Sequence, residues 1–482
     1  MKFSNEIEAF IKDFVNDLSE NNAALFAGAG MSKNAGYVNW SELLEDIASE
    51  LGLQINKEFD LISLAQYHVN EKGGNKAKLN RKILEEFIDE NEVTENHRIL
   101  ARLPISTYWT TNYDVLIEKS LREVNKVIDV KHNVKQLTNT RPKRDVVIYK
   151  MHGDVSMPNE AILTKEQYEA YYSTHEQFVS ALTGDLTTKT FLFIGFSFTD
   201  PNLDYVLSRL NFKLSKDKRQ HYCLIKKPKL GEIGSENQAD FEYKLRKQNL
   251  MIGDLKRYGI QALEVEEYSD ITNILTEIEF RFRKKTIFIS GSAEVYGEWD
   301  RNEAQTFIHN LSKSIILEGY RVVNGFGWGI GSAVINGALD AIYERPDKYS
   351  EEQLIIKPFP QYKTGDKELN VLWEEYRQRM IKFSGIAIFV FGNKLDKDNN
   401  IINANGVERE FQIAIENGLI PIPISATGYI SQTIYETIIK EPEKFYPNQE
   451  WIIKILQDLA SEKITSKEIV EKVLIIIKKI NK

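Results

Sequence analysis

Twice in this chain a short apolar run leads straight into closely spaced glycines and then into a helical pattern. The first run is residues 23–27, followed by Gly28-Ala29-Gly30-Met31-Ser32 and an apolar helical spacing at Trp40, Leu43, Leu44, Ile47 and Leu51. The second is residues 321–323, followed by Gly325, Gly327, Gly329 and Gly331 and a helix expected over residues 332–342. Strand, glycine turn and helix form the opening unit of a nucleotide-binding α/β layer, because the bare turn lets backbone amides and a helix N-terminus face a phosphate. Two such openings in 482 residues call for two cores, since one core stops growing well before that length.

The remaining pattern fits. Buried-strand signals stand at residues 106–110, 146–151, 191–194, 221–225 and 259–265, with helical stretches between the earlier ones and a helix expected over 270–282. A basic joint, Arg281-Phe282-Arg283-Lys284-Lys285, follows, and strand signals resume at 286–290, 321–323, 354–358, 386–391 and 419–424. The spacing predicts two doubly wound, Rossmann-like parallel-sheet α/β domains, residues 1–284 and 285–482, with an N-terminal helical extension over residues 6–18. That helix has its stripe at Ile7, Phe10, Ile11, Phe14, Val15 and Leu18. A Thr465-x-x-Glu468 box opens a last helix with its stripe at Ile469, Val473, Ile476 and Ile480.

Composition narrows the partners. The balance of 62 basic and 70 acidic residues, net −8, argues against nucleic acid as a partner. The single cysteine, Cys223, excludes an intrachain disulfide and a zinc site of paired cysteines, and the seven histidines are scattered, so no metal is expected. The first eight residues carry charge too often for a signal peptide, and the longest apolar runs, such as 386–391, are far too short to span a membrane. The expectation is a cytoplasmic protein with no membrane partner.

Four signals in the first half each follow an expected strand: Gly28-Ala29-Gly30-Met31-Ser32, Thr110-Thr111-Asn112-Tyr113-Asp114, Met151-His152-Gly153-Asp154 and Gly195-Phe196-Ser197. In an open parallel sheet all four face one crevice at the carboxyl ends of the strands. Gly28 and Gly30 suit a pyrophosphate, Asn112 a ribose hydroxyl or a water, and His152 the work of a general base. Each alone also reads as punctuation, a helix cap or a core histidine; their order is what carries weight.

Those motifs resemble the glycine, Thr-Asn-x-Asp and His-Gly motifs of sirtuins, the NAD-dependent protein deacylases, over roughly residues 20 to 230. The resemblance implies NAD+ as substrate. It places Ala27, Gly28, Gly30 and Ser32 by the pyrophosphate, and Asn112 by the ribose and reactive water. It also puts Asp114 by the nicotinamide amide, His152 as catalytic histidine, and Gly195 and Ser197 beside the adenosine. Sirtuin deacylases also carry a four-cysteine zinc module after that histidine. This chain has an aromatic run there, Tyr168, Tyr171 and Tyr172. The expected activity is therefore cleavage of the nicotinamide–ribose bond of NAD+ by Asn112 and His152. An NAD-dependent protein deacylase and a non-enzymatic nucleotide sensor or scaffold are the alternatives.

The second half offers the glycine run with Gly325, Gly327 and Gly329, a strand-end loop with Ser290 and Gly291, the cations Arg377, Arg379 and Lys394, and the acids Glu408 and Glu410. Arginine and lysine suit phosphates and a glutamate suits ribose hydroxyls, with the choice between Glu408 and Glu410 open. This half resembles the SLOG superfamily, but its Pro-Gly-Gly-x-Gly-Thr-x-x-Glu signature is reduced to Gly392-Asn393-Lys394, an insertion and Gly406-Val407-x-x-Glu410. A sirtuin-like half followed by a SLOG half resembles the NAD-consuming effectors of the Thoeris anti-phage defence system. That resemblance implies a dormant NADase, homo-oligomeric as a tetramer or higher assembly. Its activator would be a cyclic ADP-ribose isomer, made by a TIR-domain partner and bound at the second site.

Overall fold

The computed structural model describes residues 3–88, 91–214, 217–232, 234–363, 365–461 and 463–481. It divides into two compact units, residues 1–279 and 280–482. The division falls inside the helix Tyr268–Lys284, where the sequence placed it at the end of that helix.

In the first unit the N-terminal helix Asn5–Ser19 starts where Ser4 Oγ accepts a hydrogen bond from the Ile7 amide, and all six residues of the expected stripe are buried. The strands are β1 (Ala23–Ala27), β2 (Thr107–Thr110), β3 (Ile128–Lys131), β4 (Val146–Lys150), β5 (Thr190–Ile194), β6 (His221–Lys226) and β7 (Ile260–Val265). All pair in parallel, in the order β3-β4-β2-β1-β5-β6-β7. Ala-Ala-Leu-Phe-Ala is buried along its whole length, as a central strand covered on both faces requires. The chain leaves β1 toward β2 and later returns to its other side at β5, which makes the carboxyl end of β1 the topological switch point.

Two elements depart from expectation. The helix read over residues 40–51 is two short helices, Trp40–Leu43 and Glu45–Glu50. They open a helical insert continued by Leu61–Glu71, Ala77–Phe87 and Glu95–Arg102. The insert forms an apolar cluster of its own, including Leu43, Leu44, Ile47, Leu64, Ile83 and Phe87, which reaches Tyr113 and Leu116 beside β2. The strand β3, Ile-Asp-Val-Lys, carries no apolar run; its Asp129 pairs with Lys131 and Arg144 at 2.8 and 2.7 Å at the sheet edge.

The second unit has β8 (Thr286–Ser292), β9 (Arg321–Asn324), β10 (Leu354–Ile356), β11 (Ile386–Phe391), the antiparallel pair β12 (Asn393–Leu395) and β13 (Ile401–Asn403), and β14 (Ile420–Pro423). Five of these form a parallel sheet, β10-β9-β8-β11-β14, with its switch point between β8 and β11. The insertion read after Gly392 is the β12–β13 hairpin. The last helix, Ser466–Ile480, is capped as expected: Thr465 Oγ1 accepts from the Glu468 amide and Glu468 Oε2 from the Thr465 amide. Both units are doubly wound α/β layers. Among the described residues no helix is long and apolar enough to cross a membrane, and no group of three or more His, Cys, Asp or Glu is placed to hold a metal.

Candidate active site

Register puts the motifs of the first unit at one level. Lys150 of β4 pairs with Thr110 of β2, Thr110 with Ala27 of β1, and Ala27 with Ile194 of β5. Asn112 and His152 each lie two residues beyond that line, and Gly28 and Gly195 one residue beyond it. All four leave the sheet at its carboxyl edge.

Hydrogen bonds then fix Asn112. Thr110 Oγ1 donates to the Ala27 carbonyl and accepts from the Asn112 amide, both at 2.9 Å, which sets the turn after β2. Asn112 Nδ2 donates to the Gly28 carbonyl and to Ser32 Oγ, each at 3.1 Å. Ser32 Oγ in turn donates to Asp114 Oδ2 at 2.8 Å, while Asp114 Oδ1 accepts from the Leu116 amide at 3.0 Å. These polar groups are buried, and Ser32, Asn112 and Asp114 line a narrow cleft together with Asn39, Trp40, Leu43 and Phe87 of the helical insert. The Asn112 side-chain carbonyl keeps its accepting capacity for a ligand hydroxyl or a water.

The glycines hold the loops together. The Gly28 amide donates to the Ile194 carbonyl and the Gly30 amide to the Gly195 carbonyl, both at 2.9 Å. The sequence assigned these amides to a pyrophosphate; in the structure they join the β1 and β5 turns. Gly195 adopts φ +65°, and a Cβ there would lie 2.2 Å from the Met31 amide nitrogen, so no other residue fits. Ser197 lies further out on the same loop, exposed, with its hydroxyl 2.8 Å from that of Thr199.

His152 is buried, and its surroundings were only half legible in the sequence. The aromatic run belongs to the helix Lys165–Thr174: Tyr168 and Tyr171 meet the imidazole edge-on at 5.2 and 6.4 Å, with the Tyr168 hydroxyl 3.4 Å from Nδ1. Burial raises both phenols well above their ordinary value, so they stay neutral. One residue that sequence reasoning missed is Asp200, whose Oδ2 lies 3.1 Å from His152 Nε2, out of line for a straight hydrogen bond. Burial alone would raise this carboxyl, but the imidazole and the Leu203 and Asn202 amides outweigh it and hold the group below its ordinary value. An Asp-Pro pair opening a helix was the available signal.

Lys150 joins the two halves of the site from below. Its ammonium, completely buried, donates to the Tyr113 and Asp114 carbonyls at 3.2 and 2.6 Å, to Glu118 at 3.2 Å and to Asp154. One cation thereby ties the Asn112–Asp114 turn to the turn that carries His152. Burial opposes the charge of Lys150, and Glu118, Asp154 and Asp114 more than restore it. Glu118 is raised by its burial, whereas Asp154 is lowered because Lys150 and Ser156 outweigh desolvation.

The residues singled out in the second unit also gather at a switch point. Ser290, buried on β8, donates to Glu410 Oε2 at 2.6 Å, and burial raises the Glu410 carboxyl. Arg377, on the helix Leu369–Ile381, lies over the Phe359 ring at 5.0 Å with Nε 3.6 Å from Glu410 Oε1, too far for a hydrogen bond. Lys394 reaches Asn405 Oδ1 at 2.5 Å, and Glu408 is exposed in the first turn of the helix Asn405–Glu416. Glu410 is therefore committed inside the protein, and Glu408 is the one that faces outward. Gly325 packs on Phe359 and Met380, while Gly327 and Gly329 sit against the carbonyls of Gly291 and Ala293, so the glycine run seals two loops together.

Comparison with known proteins agrees with both halves. A family model described as a SIR2-like domain matches residues 106–252, and one described as the Sir2- and TIR-associating SLOG family matches residues 270–480. The NAD(+) hydrolase ThsA of Bacillus cereus (strain MSX-D12) is 48% identical, with 98% of each chain covered. Its counterpart from Acinetobacter baumannii (strain 532279) is 46% identical over 92% of this chain and 93% of its own. That of Enterococcus faecium is 43% identical over 89% and 90%. With relatives this similar along nearly the whole sequence, the chain belongs to the ThsA family of NAD(+) hydrolases.

Proposed function

We propose that this chain hydrolyses NAD+ at the nicotinamide–ribose bond, giving nicotinamide and ADP-ribose, and that its second unit switches the reaction on when it binds a cyclic ADP-ribose isomer. The observation that carries the first part is the Asn112–Ser32–Asp114 network opening on a cleft at the same sheet level as His152. The C1′–N bond breaks as the pyridinium takes its electron pair and leaves as neutral nicotinamide. Positive charge develops on the ribose, as in other glycosidic cleavages. Water held by the Asn112 carbonyl adds its oxygen to C1′, and the proton it loses passes to His152. NAD+ and water thus give nicotinamide, ADP-ribose and one proton.

An enzyme that destroys NAD+ must be held off until needed, which calls for a site whose ligand binds one of two states far better than the other. Arg377 and Lys394 supply charge for the two phosphates of such a ligand and Glu408 an acceptor for its ribose hydroxyls. In this reading the chain acts in the cytoplasm as a homo-oligomer, a tetramer or higher assembly. It responds to a signal made by a TIR-domain partner during anti-phage defence.

Chromatography of NAD+ incubated with the full chain, with and without cyclic ADP-ribose isomers, tests the proposal. Nicotinamide is expected with an activating isomer and no acyl substrate. Release that depends on an acylated peptide would instead mark a deacylase, and no release under any nucleotide a non-enzymatic sensor.

A further inference from the structure

We infer that Asp200 is the positioning residue for His152, and that its carboxylate holds the imidazole in place and stabilises the charge that the ring takes up during turnover. The inference rests on His152 being the general base.

The two oxygens of Asp200 do different jobs. Oδ1 accepts from the Leu203 amide at 2.9 Å and so caps the helix Pro201–Leu214, the ordinary use of an aspartate at this position. Oδ2 faces His152 Nε2 at 3.1 Å. A residue needed only as a cap would turn its second oxygen to water, yet the Asp200 side chain is only 10% exposed and that of His152 only 2%. Burying a carboxylate this far is costly unless polar partners answer it, and beside the Leu203 amide the group facing it is the His152 ring.

The rest of the surroundings leave this role to Asp200. The His152 ring is flanked by Tyr168 and Tyr171, both neutral, and the His152 carbonyl accepts from the Ile162 amide at 2.9 Å, which fixes the backbone. His175 stacks on Tyr171 at 4.5 Å and, being an imidazole, offers no negative charge. Proton transfer to His152 therefore creates a cation in a site from which water is largely excluded, and Asp200 is the anion beside it. Fixed charge aimed at a developing charge is worth most in such surroundings. The β5 turn that packs against Gly28 and Gly30 runs directly on to Asp200, so closure of one loop sets both the glycine contacts and the carboxylate.

Asp200→Asn separates the two roles, because asparagine caps a helix as well as aspartate does but carries no charge. Asp200→Ser, also a good cap but too short to reach the ring, is the second variant. Turnover of NAD+ by the activated full chain is measured with the melting temperature. In both variants kcat is expected to fall by about tenfold or more, with KM held within about threefold and the fold intact. A folded Asp200→Asn variant turning over within about twofold of the wild type overturns the inference. Loss of the fold in both variants overturns it too, since the carboxylate would then be a structural cap. His152→Ala serves as the third arm. Full activity there removes the general base itself, whereas loss there with retention in Asp200→Asn removes only the role given to Asp200.

Discussion

The hydroxyl of Ser32 donates to the carboxylate of Asp114 at 2.8 Å across 82 residues of sequence, and the same oxygen accepts from Asn112 Nδ2 at 3.1 Å. One hydroxyl thus links the β1 turn to the β2 turn and fixes the geometry of Asn112. Ser32→Ala leaves Asp114 Oδ2 without its buried donor and Asn112 Nδ2 with the Gly28 carbonyl alone, at a cost of about 1–3 kcal/mol. With Asn112 free to shift, NAD+ turnover is expected to fall by about 10²-fold. Steady-state kinetics on the activated variant at wild-type level would show that the network does not position Asn112.

Lys150 makes a different prediction, one about stability. Removing a buried cation leaves Glu118 and Asp154 facing each other without it, and breaking a buried pair in this way costs about 3–5 kcal/mol. Lys150→Met is expected to lower the unfolding free energy by that amount and to reduce activity by loosening the turns of Asn112 and His152 together. Chemical denaturation reads the first effect; a stability change below about 1 kcal/mol would mean that the cluster is not held as described.

How much of this could be read in the sequence depended on whether a residue's role was local. Strand ends followed by Gly28, Asn112, His152 and Gly195 mark the site because side chain and backbone chemistry sit in the same short window. The requirement at Gly195 concerns its own φ and the nearby Met31 amide. Lys150 was invisible for the opposite reason. At the end of a strand it reads as a solvated charge, and only the fold brings Glu118 and Asp154 to it. Asp200 likewise reads as a cap until β5 is placed beside β1. In the second unit, Glu408 and Glu410 could not be separated from spacing, because which face of the helix is buried depends on Ser290 from another strand.

Acid should weaken the first unit through His221. Burial, together with nearby Arg219, lowers this imidazole from 6.5 to about 4, and its Nδ1 must stay unprotonated to accept from the Phe191 amide at 3.1 Å. The unfolded chain takes up a proton near pH 6.5 that the folded chain refuses until about 4, so the contribution is complete above 6.5 and drains away as pH falls through this window. The expected loss between pH 7 and pH 4 is about 3 kcal/mol from this residue. His221→Asn, which keeps an acceptor and cannot titrate, should flatten the pH dependence of the unfolding free energy by that amount. An unchanged slope would clear His221 of the effect.

For the second unit, Arg377→Ala and Lys394→Ala are expected to abolish activation by a cyclic ADP-ribose isomer while leaving the melting temperature nearly as it was. Arg377 Nε has no hydrogen-bond partner among the described residues and lies 3.6 Å from Glu410 Oε1, so its removal breaks no hydrogen bond of that nitrogen. Titration of activity against activator checks this, and superimposable curves for wild type and both variants would show that neither cation serves a sensing site.

Asn112 and His152, in this reading, break the nicotinamide–ribose bond of NAD+ without an acyl acceptor. Nicotinamide release from NAD+ alone by fully activated wild type, Asn112→Ala and His152→Ala tests that most directly. Steady release is expected from the wild type, with a loss of at least about 10²-fold in each variant and the fold retained. Wild-type release by either folded variant would contradict it.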